Sequence, residues 1–229
     1  MRLKKLGAAL VVVAALGAVL ASSAFAAATT TDVQWYTGSG SGTLLSGSKT
    51  ATSEQVGSAT FATTVSGEAV VLHSTGINCE GCTIENSGST AVGSGKLKFT
   101  GVTVEKPTGC SVASTIETNA LSVQADWMIG TDNYIKFVPT AGEEKGFATV
   151  TLTGASCPIA TSIIPKGSVF VQSANATGVQ AVSQTVSSSK AINETAGGSL
   201  HVGTEAAWLE GSAAFSLTGE GAGLAFGTH

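Results

Sequence analysis

The chain has 229 residues, of which 43% are apolar and only 11% are charged, and its formal net charge is −4 at pH 7. Arg2 is its only arginine. Because phosphates and base edges are bound by arginine forks and clustered positive charge, we predict no nucleic-acid partner, and the same composition disfavours attachment to anionic membrane surfaces. A high apolar content with little charge is also unlike intrinsic disorder.

The first 26 residues have the three parts of a secretory signal peptide. Arg2, Lys4 and Lys5 give a positive start, residues 10–21 form an apolar run, and Ala24 and Ala26 place small side chains at the two positions that a signal peptidase recognises. A transmembrane anchor is the alternative, but it needs roughly 20 apolar residues, more than this run provides. We therefore predict a secreted or cell-envelope protein whose mature form has no membrane span.

Residues 27–58 are rich in Gly, Ser and Thr, and they include the run Gly-Ser-Gly-Ser-Gly at 38–42. This composition predicts a flexible N-terminal segment, within which Trp35 and Tyr36 could pack as a first strand. From residue 59 onward, short stretches of alternating apolar and polar residues are separated by Gly and Pro. The first two, on either side of Gly67, predict a β-hairpin.

The alternation continues to the end of the chain. At Gly101 the apolar positions change parity, which predicts a β-bulge. Residues 120–129 and 205–210 have some helical character, but Val, Trp or Ile at alternating positions favours strands. Many short strands with turn residues between them predict one all-β domain over residues 59–229, either an antiparallel β-sandwich or a partly open barrel.

Four cysteines follow the predicted signal peptide: Cys79, Cys82, Cys110 and Cys157. An even number in an exported chain predicts two stabilising disulfide bonds, and the sequence leaves three pairings open. Cys79 and Cys82 also have the spacing of a redox motif, but that chemistry requires a helix N-terminus, and β-type residues flank this pair. Zinc would require a second pair of ligands at the proper spacing. We therefore favour structural disulfides.

Catalytic motifs are missing from the sequence: it has no G-x-S-x-G elbow, phosphate loop or dinucleotide-binding motif. His73 ends an apolar strand and His201 lies between two apolar residues, so we interpret both as structural. A cleft that held either histidine beside a serine and an acid would favour an enzyme. We predict no catalytic activity, no cofactor and no metal.

Two tryptophans, Trp127 and Trp208, are the candidates for a ligand surface, since aromatic rings with a polar edge can stack on sugars. The more ordinary interpretation is that they anchor the core. Our leading functional hypothesis is a non-enzymatic surface or binding protein, with an extracellular or cell-envelope glycan as a possible partner. A carbohydrate- or ligand-binding module is the first alternative, and an extracellular hydrolase is the second.

One resemblance extends these inferences. The segments 77–79, 95–104, 110–112 and 116–121, together with Cys157, form a pattern of spaced single cysteines and Thr/Val-rich strands. This pattern resembles a group of uncharacterised secreted β proteins of soil actinobacteria. The resemblance implies bacterial origin, export and β architecture, but no activity. The chain departs from the group's pattern at Val102, where the group has Cys.

Overall fold

The computed structural model describes residues 28–39 and 42–229, and the predicted signal peptide lies outside these residues. The elements, in chain order, are β1 (Thr29–Thr30), β2 (Trp35–Thr37), β3 (Thr43–Leu44), β4 (Lys49–Val65), β5 (Glu68–Ser74), β6 (Gly76–Ser87), β7 (Thr90–Thr100), β8 (Thr103–Lys106), β9 (Thr115–Glu117), β10 (Leu121–Ile129), β11 (Asp132–Pro139), β12 (Val150–Thr151), β13 (Ser162–Ile163), β14 (Val169–Ser173), β15 (Ser183–Ser188), α1 (Lys190–Ala196), β16 (His201–Val202), β17 (Glu205–Ala206), β18 (Trp208–Leu217), a 3₁₀ turn (Gly219–Gly221) and β19 (Phe226–Thr228). In this part of the chain, no helix has both the length and the apolar character needed to cross a membrane.

Eight strands form a closed antiparallel barrel in the order β4, β6, β7, β10, β11, β14, β15 and β18. The ring closes at β10, which pairs with β11 on one side and with residues 92–95 of β7 on the other. The predicted all-β class, antiparallel pairing and disulfides are confirmed. The expected sandwich or partly open barrel is corrected to a closed barrel, because alternation along a strand is the same in all three architectures and only the β7–β10 pairing distinguishes them.

Alternation along each strand separates the barrel interior from its outer wall. In β15, for example, Gln184, Val186 and Ser188 are buried, and the residues between them are not. The largest hydrophobic cluster fills the interior, with central members Leu97, Leu121, Ile135, Phe137, Val169 and Val186.

A small three-stranded sheet closes one end of the barrel. It has the order β19-β2-β3, and it brings the chain terminus next to residues 35–37. Trp35 is 4% exposed and donates through Nε1 to the Val92 carbonyl at 2.9 Å. The segment expected to be flexible, 27–58, thus contains β1 to β3 and the first residues of β4.

A second layer packs on the outside of the barrel. β4 continues beyond its barrel pairings into a hairpin with β5, as predicted, and β5 pairs in turn with β8. The second hydrophobic cluster lies here, with Val70, Leu72 and Leu152 among its buried members, and the Cys110–Cys157 disulfide borders it.

The predicted bulge at Gly101 is wrong. Gly101 has φ +61° and ends β7, so that β8 leaves the barrel wall to pair with β5. A larger residue at position 101 is disfavoured by sterics as well as by the backbone conformation, since a Cβ there would collide with the Thr75 side chain.

Helix α1 was not predicted from the sequence. Ser189 caps its N-terminus by accepting a hydrogen bond from the Ile192 amide at 3.1 Å, and Gly197 ends it in the left-handed conformation. These two residues are the standard start and stop signals of a helix, so the sequence did contain a signal for it. The helix lies against the outer wall, where Ala196 joins a small cluster with Tyr134 and Phe170.

Candidate ligand cavity inside the barrel

A cavity of about 70 Å³ lies inside the barrel beneath the three-stranded cap. Every strand of the barrel contributes to its lining. Representative lining residues, one from each strand in ring order, are Ala51, Ile84, Gly95, Leu121, Ile135, Ser173, Val186 and Phe215. Trp35 and Phe226 cover it from the cap, with their ring centroids 6.2 Å apart.

Small residues create this space. Ala51 and Gly95 are two of the lining residues, and neither has a side chain larger than a methyl group. Gly93, two residues earlier on β7, has no room for a side chain, because a Cβ there would lie 2.6 Å from the Thr83 carbonyl oxygen. Gly93 and Gly95 therefore add no side-chain volume to this part of the barrel.

The Cys79–Cys82 disulfide forms part of the cavity wall. The two cysteines lie at an irregularity of β6, where the pairing with β7 shifts between Glu80 and Thr83. Since Cys82 is 8% exposed and both cysteines line the cavity, the disulfide holds the bulged strand against the interior.

Three amide side chains gather at one part of the lining: Asn133, Asn175 and Gln184. Gln184 donates through Nε2 to the Phe226 carbonyl, and its Oε1 accepts from Asn175 Nδ2 at 2.9 Å. Asn133 donates through Nδ2 to the Ala125 carbonyl at 2.8 Å. These bonds tie the cap and the β14–β15 connection to the barrel wall, and they give an otherwise apolar cavity a polar region.

A second cavity of about 50 Å³ lies deeper in the same barrel. Four side chains line both cavities and separate them: Leu97, Phe137, Val186 and Phe215. The interior is therefore one apolar channel interrupted by a layer of side chains.

Among the described residues, the lining of the upper cavity includes no Lys, Arg, His, Asp or Glu. The same part of the chain holds no group of three His, Cys, Asp or Glu side chains that could bind a metal ion. A charged ligand in the upper cavity would lose its hydration without gaining a counter-charge, which is costly in an apolar environment. The site is thus suited to a neutral molecule.

The two tryptophans proposed from the sequence line neither cavity. Trp127 packs edge-to-face on Phe170 on the outer wall, with Lys136 Nζ 5.3 Å from its ring centroid. Trp208 is half-buried on β18, and Lys190 Nζ lies 5.0 Å from its ring. Both rings therefore stack with a lysine beside helix α1, and a ligand surface on them stays a prediction.

His73 is hydrogen-bonded to a hydroxyl and to an acid on the outer strands. Its Nδ1 lies 3.0 Å from Thr60 Oγ1, and its Nε2 lies 2.5 Å from Glu105 Oε2. The hydrogen bond from His73 holds the pKa of Glu105 below its ordinary value. Thr60 and His73 also border a separate apolar cavity of about 60 Å³. The sequence did not suggest this group, because Thr60 and Glu105 are distant along the chain from each other.

The sequence also missed the barrel cavity. Its lining residues lie between positions 35 and 228, and no local pattern marks a glycine or alanine as part of the wall of a cavity. Comparisons with family models, with curated proteins and with solved structures gave no match.

Proposed function

We propose that this chain is a secreted, non-enzymatic binding protein that holds one small, neutral, predominantly apolar molecule inside its barrel. The observation that carries the proposal is the capped cavity to which all eight strands contribute and which no ionisable side chain of the described residues lines. Eight-stranded barrels have an interior that is either filled by side chains or just wide enough for one small ligand.

The cost of an empty interior supports this proposal. Protein cores are close-packed, with few voids larger than a water molecule. An apolar void of this size, about 70 Å³, destabilises a fold by roughly 2 kcal/mol. A ligand that fills it restores the missing dispersion contacts, and its binding stabilises the folded state.

Export is supported by the covalent chemistry. The two disulfides account for all four cysteines, and such bonds persist in oxidising compartments. The apolar run at residues 10–21, flanked by basic and then small residues, supplies the secretion signal in this proposal. The bound molecule is then one that occurs outside the cell or in its envelope.

Filling the cavity tests the proposal. Val123→Phe places a large ring in the lining, whereas Gln124→Phe places the same ring on the exposed face of the same strand. Each protein is purified in its folded form from the medium of the producing cells, and small molecules released on denaturation are identified by mass spectrometry. We expect a neutral compound from the wild type and from Gln124→Phe, and none from Val123→Phe.

Cavity accessibility is tested independently with xenon, which enters dry apolar cavities. Xenon should shift the NMR signals of cavity methyl groups in the wild type and in Gln124→Phe, and it should leave those of Val123→Phe unchanged. Equal responses of the three proteins, or no response in the wild type, would contradict the proposal.

A hydrolase is the second candidate, and one observation favours it. Thr60, His73 and Glu105 form the hydroxyl–imidazole–carboxylate arrangement that activates a nucleophile in covalent catalysis. If Thr60 is such a nucleophile, the protein will hydrolyse a simple activated ester and will lose this activity in both Thr60→Val and His73→Gln. Retention of the activity in either variant would exclude this function for the group.

A further inference from the structure

We infer that the ligand of the barrel cavity is a short-chain alcohol, whose hydroxyl donates a hydrogen bond to Asn133 while its apolar chain fills the space in front of Gly95. This inference rests on the proposed function and specifies the class of its ligand. Its basis is an acceptor atom in the cavity lining that lacks a donor among the described residues.

Asn133 is 1% exposed and lines the cavity. Its Nδ2 is used, since it donates to the Ala125 carbonyl at 2.8 Å. Its other side-chain contact, to Met128 Sδ, also uses Nδ2, so that no hydrogen bond to its Oδ1 is formed among the described residues. A buried amide oxygen is normally hydrogen-bonded, because leaving it unpaired costs the energy of its lost hydration. A ligand group with an O–H would satisfy this oxygen.

Ser53 provides a second unsatisfied group in the barrel. It is 5% exposed, it lies directly opposite Phe215 in the β4–β18 pairing, and its Oγ has no partner among the described residues. Directly opposite residues of an antiparallel pair face the same side, and Phe215 lines the cavity. Ser53 does not itself line the cavity, so the hydrogen bond of the ligand is assigned to Asn133 alone.

A polar groove gives the ligand a route to this site. It has a volume of about 330 Å³ on the outside of the barrel and shares Ser173 and Ala176 with the cavity lining. Asp132, which precedes Asn133 in the chain, is also in this groove. A molecule with a hydroxyl end can therefore stay hydrated in the groove until it reaches Asn133.

Charge and size limit the class further. A carboxylate or an ammonium group would enter a lining that offers no counter-charge. The cavity of about 70 Å³ is roughly half of the volume that accommodates benzene in an apolar core. The cavity therefore suits a ligand with a chain of only a few carbon atoms.

Two isomeric probes test the inference. 1-Butanol and methyl propyl ether have the same atoms and nearly the same shape, but only the alcohol can donate a hydrogen bond. Binding of each to the folded wild-type protein is measured by NMR titration. We expect the alcohol to bind about tenfold more tightly. The ether has no donor for the Asn133 oxygen, and a buried acceptor that stays unpaired weakens binding by about this factor.

Asn133→Leu keeps the size of the side chain and removes the acceptor, so the preference for the alcohol should fall to less than about threefold. If Asn133→Leu does not fold, the NMR signal of the Asn133 side-chain carbonyl carbon in the wild type is the second measurement, and it should shift on binding of 1-butanol but not of the ether. Val123→Phe should bind neither probe.

The outcomes separate the two levels of the proposal. If the two isomers bind the wild type with equal affinity and neither binds Val123→Phe, the assignment of an alcohol is overturned, whereas the proposed binding function stays in place. An alcohol preference that survives in Asn133→Leu, or binding of 1-butanol that leaves the Asn133 carbonyl signal unchanged, would also overturn it. Binding of neither isomer, nor of xenon, to the wild type would overturn the binding function itself.

Discussion

Gly95 of β7 and Cys82 of β6 face each other so closely that a Cβ atom on Gly95 would collide with the Cys82 sulfur. Gly95 also has φ +151°, a conformation that residues with side chains rarely adopt. The glycine is therefore what allows the Cys79–Cys82 disulfide to lie in the wall of the cavity.

Gly95→Ala should consequently destabilise the fold by more than the strain of its backbone, which alone is worth about 1–3 kcal/mol. The matched control is Gly130→Ala, where φ is also positive but a Cβ would meet nothing within 4 Å. Chemical denaturation of the two variants provides the measurement. A loss for Gly95→Ala that is no larger than the loss for Gly130→Ala would show that the disulfide does not depend on this space.

The two disulfides should contribute unequally to stability. Cys110 and Cys157 are 47 residues apart in sequence, whereas Cys79 and Cys82 are 3 apart. The longer loop restricts the unfolded chain more. Replacing Cys110 and Cys157 with alanine should therefore lower the free energy of unfolding by roughly 4 kcal/mol, and replacing Cys79 and Cys82 should lower it by roughly 2 kcal/mol. Urea unfolding of the two double variants measures both values, and the reverse order would contradict the chain-entropy explanation.

Asp126 should make the protein less stable at neutral pH. It is 5% exposed, and its Oδ1 has no partner among the described residues. Burial raises the pKa of this carboxyl above its ordinary value of 3.8. Because the folded state disfavours the ionised form, stability falls as the pH rises above the pKa of the unfolded chain, and the loss is complete above the pKa of the folded state.

Asp126→Asn removes the ionisation and should therefore raise the midpoint of thermal unfolding at pH 7 but not at pH 3. Asp132→Asn, a change of an exposed aspartate in the following strand, is the control and should have little effect. An equal gain at both pH values would mean that the charge of Asp126 is not the cause.

Phe215 should control the length of ligand that the barrel accepts. Its ring lines both cavities, so Phe215→Ala would join them into one longer space. We expect this variant to lose about 3–5 kcal/mol of stability and to bind 1-hexanol more tightly relative to 1-butanol than the wild type does. Ser216→Ala, at the neighbouring position on the same strand, should leave the ratio of the two affinities unchanged.

The predicted signal peptide implies a defined mature protein. Expression in a bacterium that exports proteins should give a product that begins at Ala27, after cleavage of the first 26 residues. Intact mass spectrometry of the culture medium measures this start. Retention of the full chain in the cell, or a product that still contains residues 10–21, would contradict the prediction.

Local sequence patterns were sufficient for many of the strands after residue 59, but not for β1 to β3. The hairpin around Gly67 and the strand at 121–129 follow from alternation and turn residues, which act over a few positions. Ser189 and Gly197 likewise contained the signal for helix α1. Trp35 shows the limit of local composition, because its glycine-rich surroundings indicated flexibility and yet its ring covers the cavity.

The sequence by itself determined that the domain is built of antiparallel strands with two disulfides, because strand periodicity and cysteine number are properties of the chain. Only the tertiary structure decided how the cysteines pair, that β7 meets β10 to close the barrel, and that Asn133 and Ser53 face a common interior. The reason is that a cavity is a relation between residues far apart in sequence: Ala51, Gly95 and Val123 line it from three different strands, and no single strand encodes that space.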